Sequence, residues 1–406
     1  MTDVSSQAPA RPAVKAGSPW AVVAQGAAML AVGMGVGRFV FTPILPLMEH
    51  QAGLSTSMAS DLATANYLGY LIGALAGIFV PAVARSRRVA RGSLLVVIAS
   101  LALMPVAADA AGWLVLRLVA GVASALLFVI ATSAMLTRLH RGAQHLVGWG
   151  FGGVGLGIAL SGALVLILQS GSSWRAAWWG AAVLAAALGA VAWKLSPEPA
   201  GEQTSLQRHG DVPRTRRWFA ALFASYTLEG VGYIIAGTFL VAAISQNSPG
   251  LLGSSSWVVV GVAAAPASAM WAYLARRRPR STLILVALAV QVVGIALPSL
   301  AGGIAPALIS AVLFGNTFVA VSSLALAIGA HLQFPRSVAL LTAGYSVGQI
   351  LGPLVVKPLL HNGYHDALLV AAAIVAAAAV AAAALRIRYP HQVGVMIEPS
   401  RSAPGR

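Results

Sequence analysis

The chain is 406 residues long, 58% hydrophobic and only 9% charged, with a mean hydropathy of +0.83, a net charge of +16 and no cysteine. A soluble domain carries about 45–50% apolar and about 25% charged residues, so a water-soluble fold is excluded, as are disulfides and thiol chemistry. The basic balance does not mark a nucleic-acid binder, because the cations fall in short runs between apolar stretches and no loop is long enough to fold into a reading module.

A membrane-spanning helix needs about 20 apolar residues, and in chain order twelve stretches qualify. Residues 1–19 form a polar, Pro-rich tail expected to be disordered. The first span, 20–48, is too long for a signal sequence and lacks a convincing small-residue cleavage site, so it is read as retained. Spans follow at 61–84, 92–108, 112–137, 145–169 and 174–195. A polar loop at 196–216 divides the helices six and six, and further spans lie at 217–245, 256–275, 281–301, 304–331, 336–360 and 364–387. The predicted organisation is therefore an all-α membrane protein with bundles at 20–195 and 217–388 and a second tail at 389–406.

Charge distribution gives the orientation. The turns after the second, fourth, sixth, eighth and tenth spans, with the two tails, hold 22 of the 26 Lys and Arg, including Arg85, Arg87, Arg88, Arg91, Arg138, Arg141 and Arg276 to Arg278. The opposite loops carry Arg175 with Glu49, Asp61, Asp109 and Asp366. The positive-inside rule then puts both termini in the cytoplasm, and the basic turns are expected to meet anionic lipid headgroups. High Ala, Gly and Arg content suggests a GC-rich bacterial source and its cytoplasmic membrane. A monomer is expected.

The halves repeat. "GVGRFVFT" from Gly35 matches "GVGYIIAGTF" from Gly230 at an offset of 195, and "GWGFGGVGLG" from Gly148 matches "GYSVGQILGP" from Gly344 at 196. Internal repeats of this kind are characteristic of secondary transporters, with a substrate site near the midplane between them. At this level the chain resembles the major facilitator superfamily. "GMGVGRFVFTPILPLM", "LATANYLGYLIGAL" and "YTLEGVGYIIAGTFL" are similar to its poorly characterised YbfB/YjiJ-type branch. The resemblance implies two six-helix bundles that rock about a central site and names no substrate. Arg117 and Gly121 match the family's Arg-x-x-x-Gly element. "GIFVPAVARSRRVAR" and "AMWAYLARRRPR", however, have no acid where the family's cytoplasmic charge latch keeps one.

Two charges inside apolar spans point to function, since a charge in hydrocarbon costs about 2.5–3.5 kcal/mol on insertion scales. Arg38 lies about 27 Å along the first span and Glu229 about 17 Å along the seventh, at 1.5 Å per residue. The repeat places Tyr233 opposite Arg38 and Met34 opposite Glu229. Three roles are open to Arg38: clamping an anionic substrate, gating with Glu229, or a structural one, snorkelling or binding carbonyls freed around Gly33, Gly35 and Gly37. Glu229, the only acid inside the spans, is the candidate proton carrier. Burial disfavours its charge and a nearby Arg38 favours it; a permanent structural pair is the alternative. Arg117 is grouped with proton coupling, although a structural bond to Asp109 or Asp61 competes, and Lys357 reads as a snorkelling lysine.

Gln25, Tyr226, Tyr233 and Asn316 complete the favoured substrate or gating set, because spans one, four, seven and ten line the cavity in the resembled fold. Asn66, Tyr67, Tyr70, Thr317, Tyr345 and Gln349 are further polar candidates. Gly35, Gly37, Gly148, Gly152, Gly344, Gly348, Gly352 and Pro353 are read as close-packing and hinge positions of the kind small-xxx-small interfaces use. An enzyme is not expected: a single buried acid rules out a carboxylate pair, and all eight histidines fall in loops or at span ends. His361 and His365 straddle the Gly363 turn, so neither a metal nor any other cofactor is predicted.

The predicted function is a secondary transporter working by alternating access, proton-coupled, for a small organic and anionic solute. A proton-antiporting multidrug or metabolite exporter is the alternative. A non-transporting receptor or scaffold is a third class, which lacks an evident extramembrane signalling domain.

Overall fold

The computed structural model describes residues 18–139, 143–169, 171–195, 215–247, 252–387 and 389. Expectations for the N-terminal tail, the central loop as far as 214, Arg141 and the C-terminal tail beyond Tyr389 lie outside these residues. The helices are α1 (Pro19–Ala52), α2 (Thr56–Phe79), α3 (Arg87–Leu103), α4 (Ala110–Arg138), α5 (Val147–Leu168) and α6 (Trp174–Ala192). The second half holds α7 (Arg216–Asn247), α8 (Leu252–Leu274), α9 (Arg280–Leu300), α10 (Ile304–His331), α11 (Ser337–Val356) and α12 (His365–Leu385). Among the described residues, eleven helices are long and apolar enough to cross a bilayer; α3, at 17 residues, is shorter.

Most boundaries fall where the apolar runs put them, but α2 and α3 each begin five residues earlier. The reason is capping. The Ser55 hydroxyl accepts the Met58 N–H and the Ser86 hydroxyl accepts the Val89 N–H, each at 3.2 Å, which satisfies donors that a helix start leaves orphaned. Pro81 then ends α2 by holding Val80 out of the helical region.

The first helix is not continuous, although its sequence reads as one span. A π-helical stretch at Ala31–Val36 leads into a non-helical turn over residues 37–40, and α-helix resumes at Phe41. Pro43 has no N–H for the Phe39 carbonyl, which accepts from Thr42 instead at 3.2 Å, while Gly37 N–H reaches back to Val32 at 2.8 Å. In the repeat, Thr238 and Val241 stand where Pro43 and Pro46 do, and α7 runs unbroken from Arg216 to Asn247.

Helices α1 and α7 meet on the axis that relates the halves. The Thr42 hydroxyl donates to the Gly237 carbonyl at 2.5 Å, and Arg38 Nη2 lies 3.5 Å from the Tyr233 hydroxyl. Both pairs join residues 195 apart, the offset of the repeat. Residues related by a two-fold touch each other only on its axis.

Two further seams join the halves, α5 against α8 and α2 against α11. On α5, Gly153 and Gly157 face α1, where a Cβ would run into the backbone of Ala27 and Ala31; Gly35, one turn further along α1, also abuts Gly157. Gly148, Gly152 and Gly155 face α8 at Ala269 and Ala265. On α11, Gly344, Gly348 and Gly352 make their close approach to α7, at Phe223, Thr227, Val231 and Ile234, and so pack within their own half. The α2 seam uses Pro353 instead, whose carbonyl accepts from the Ser60 hydroxyl at 2.9 Å.

The two ends of the molecule differ. At the end away from the basic turns, Lys357 Nζ bonds Asp61 Oδ1 at 2.6 Å across the halves. The Tyr364 hydroxyl donates to Glu49, and the Ser254 hydroxyl to Gln169 at 2.7 Å. Burial first, and the Glu49 carboxylate second, raise the Tyr364 phenol, so it remains a donor. Lys357 is thus a bridging residue and not a lone snorkelling lysine. Toward the basic end, a cavity of about 670 Å³ opens between α2, α4, α10 and α11.

Candidate functional site

The break in α1 presents Arg38 to the interface between the halves. Its side chain is 2% exposed. Nη2 donates to Gln349 Oε1 on α11 at 2.7 Å, while Nε and Nη1 are buried without a hydrogen-bond partner. Three rings surround the guanidinium, with centroids 4.3 Å away for Tyr70, 4.8 Å for Tyr67 and 5.3 Å for Phe39. A buried cation over aromatic faces gains quadrupole attraction without a counter-charge. Gln349 Nε2 also donates to the Tyr233 hydroxyl at 2.8 Å, and the Tyr67 and Thr238 hydroxyls bond at 2.7 Å.

Arg117 secures this geometry from behind. Its Nη1 and Nη2 donate to the Gly37 and Arg38 carbonyls at 3.2 and 3.1 Å, which are acceptors the broken helix leaves free. Asn66 Nδ2 donates in turn to the Arg117 carbonyl at 2.9 Å. The expected bond from Arg117 to Asp109 or Asp61 is not made: Asp109 caps α4 through the Gly112 N–H at 2.7 Å, and Asp61 holds Lys357. The carbonyl-binding role considered for Arg38 therefore belongs to Arg117.

Beside Arg38 runs a column of parallel rings. Tyr226 stacks on Tyr345 at 4.2 Å and 14°, Tyr345 on Tyr233 at 5.3 Å and 10°, and Tyr233 on Phe318 at 6.0 Å and 4°. The Ser322 hydroxyl on α10 donates to the Tyr345 hydroxyl at 3.3 Å. Tyr70 lines the cavity, so Arg38 stands one ring beyond its wall. The remaining lining is apolar with hydroxyls such as Thr132, Ser133 and Thr342, and carries no charged side chain.

Glu229 is fully buried, and its Oε1 accepts from Gln291 Nε2 on α9 at 3.1 Å. Arg38 turns to Gln349 and Glu229 to Gln291, so the direct pair considered from sequence is not formed in this state. Glu229 faces the interior of its own half, within electrostatic reach of Tyr226, Tyr233 and Tyr345. Asn316 is also drawn away from the axis, its Oδ1 accepting from Trp271 Nε1 at 3.0 Å on α8. Thr317 bonds back to the Leu313 carbonyl of its own helix at 2.7 Å. Gln25 lies thirteen residues before Arg38, on the basic-end portion of α1 (Pro19–Leu30), and is half-buried apart from the cluster.

Of the favoured residues, Arg38, Tyr226 and Tyr233 come together, joined by Tyr67, Tyr70, Tyr345 and Gln349. Sequence reading missed Phe39, Thr238, Gln291, Phe318 and Ser322. Gln291 was findable, as the lone amide in the apolar run "LVALAVQVVGIAL". Phe318 was not, since a phenylalanine in such a span gives no polar signal.

The model of a family described as uncharacterised MFS-type transporter YbfB matches residues 30–386. Among solved structures the chain is similar to an aspartate-to-alanine mutant of the nucleoside transporter NupG, at 14% identity and a TM-score of 0.67, covering 90% of this chain and 99% of that one. It is similarly matched to unmutated NupG at 12% identity and a TM-score of 0.64, over 90% of this chain and 98% of the other. No curated protein matches it in sequence.

Proposed function

The chain belongs to the YbfB-type transporters of the major facilitator superfamily, and on that premise we propose that it moves a small organic anion by proton-coupled alternating access. The halves at 20–195 and 217–388 rock about the α1–α7 crossing, in a bacterial cytoplasmic membrane with both termini in the cytoplasm. The carrying observation is Arg38: a buried guanidinium, one ring from a cavity, with two nitrogens unpartnered and one held by a neutral amide. A carboxylate or phosphate entering past Tyr70 replaces Gln349 with a charge-assisted, bidentate partner, which is the stronger bond.

Gln349 is also bonded to Tyr233, and that phenol stacks on Tyr345 beside Glu229. Substrate binding at Arg38 therefore reaches the candidate proton carrier through the Gln349, Tyr233 and Tyr345 side chains, not through a direct ion pair. The apolar and hydroxyl walls of the cavity favour the second reading, a proton-antiporting exporter of amphipathic metabolites or drugs. Likeness to NupG adds nucleosides to the compounds worth testing.

A thermal-shift screen of purified protein against organic acids, nucleosides, sugars, amino acids and amphipathic cations separates these readings. A ligand that binds only the folded state raises apparent stability by RT ln(1 + [L]/Kd). Organic acids are expected to stabilise the wild type, to act weakly on Arg38→Lys and to leave Arg38→Ala unmoved. Stabilisation of all three by amphipathic cations alone overturns the anion reading in favour of the exporter.

A further inference from the structure

A second cavity, of about 740 Å³, lies outside the transport path, in the seam between α5 and α8 at the basic end. His145 and Trp149 form one side and Pro266, Met270, Tyr273 and Arg276 the other. We propose that this groove is a binding site for an anionic phospholipid, with the phosphate at Arg276 and an acyl chain laid along Trp149, Met270 and Pro266.

Charge complementarity commits the site to an anion. Arg276, Arg277 and Arg278 are consecutive and exposed. Every acid among the described residues lies at the opposite end or, for Glu229, sealed inside the second half. Arg277 is drawn alongside the groove by Tyr273, whose hydroxyl accepts from its Nη2 at 2.6 Å and whose ring centroid is 5.0 Å away.

Depth makes that anion a lipid and not a free phosphate. Trp149 and Tyr273 are 51% and 52% exposed, as befits side chains at the headgroup level of a bilayer. From Arg276 the wall runs inward through Met270 to Pro266, about 15 Å along the helix at 1.5 Å per residue. A soluble phosphate uses only the mouth of such a groove, whereas a phospholipid fills its length. Because the walls belong to different halves, a bound lipid also braces the seam at which they must separate.

The test is native mass spectrometry of the full chain in neutral detergent, titrated with phosphatidylglycerol, phosphatidylcholine or glycerol phosphate. Phosphatidylglycerol is expected to bind at least fivefold tighter than phosphatidylcholine. Arg276→Gln is expected to lower that affinity about fivefold, the worth of one arginine near an anionic headgroup. Trp149→Ala is expected to weaken both lipids, and a surplus of glycerol phosphate to leave lipid binding intact. Arg87→Gln/Arg88→Gln, at the exposed start of α3 and not among the residues lining the groove, is the control and should bind as the wild type does. Equal affinity in Arg276→Gln and wild type overturns the proposal. So does an equal loss in the control, which means diffuse charge, or full competition by glycerol phosphate, which means an anion site without a lipid groove.

Discussion

At the scale of the residue, the three buried Arg and Glu side chains inside the spans solve burial differently. Arg38 keeps its charge by borrowing an amide oxygen and three aromatic faces, and Arg117 by taking the carbonyls that a broken helix exposes. Among the described residues Glu229 has no cation beside it; Gln291 donates to its carboxylate and the Tyr345 phenol lies against it. A carboxylate so placed is the group that substrate-linked changes can load and unload with a proton. Glu229→Gln is accordingly expected to retain substrate exchange between equal pools while losing its response to a pH gradient. Proteoliposomes carrying an internal pH dye measure both, and proton flux equal to wild type in that variant sinks the coupling role.

At the scale of the element, glycine has opposite meanings at different sites. Gly92 in α3 has open space where a Cβ would go, whereas at Gly152 in α5 a Cβ meets the Ala265 carbonyl of α8. Gly92→Ala should therefore stabilise, by about 0.5–1 kcal/mol on helix propensity alone. Gly152→Ala should destabilise by about 1–3 kcal/mol, as overpacking does. Thermal unfolding in one detergent ranks the pair, and the reverse order would show that α5 and α8 do not pack this closely. The glycine-rich run of α5 marks Gly152 as a packing position in sequence; the neighbour across the seam sets how much a Cβ costs there.

At the scale of the whole molecule, the polar clasp lies at the end opposite the basic turns. Asp61 and Lys357 are about one-third exposed, so their bridge is worth only about 0–1 kcal/mol to folding. Its weight is conformational, because an alternating-access equilibrium of a few kcal/mol responds to any bond present in one state alone. Lys357→Gln is expected to populate a state opened at this end, and the charge swap Asp61→Lys/Lys357→Asp to restore closure. The chain has no native cysteine, so spin labels at introduced Ser57→Cys and Ala305→Cys report it directly. Distance distributions that are the same with and without the bridge remove it as a clasp.

Composition and the length of the apolar runs determined the class and the helices, and the internal repeat the two halves, because a bilayer forces every backbone polar group into helix and makes span length readable. Isolated charge located Arg38, Glu229 and Arg117 for the same reason: hydrocarbon makes such residues rare. The repeat offset paired Tyr233 with Arg38, and the structure brings the two side chains together because both lie on the axis between the halves. What sequence left undecided was partnership. Glu229 on Gln291, Asn316 on Trp271, Arg117 on the α1 carbonyls and Lys357 on Asp61 each depend on which way a helix is turned and what packs against it. A polar residue in an apolar span announces that it needs a partner. Only the tertiary structure, by bringing distant helices within hydrogen-bond reach, decides which one it has.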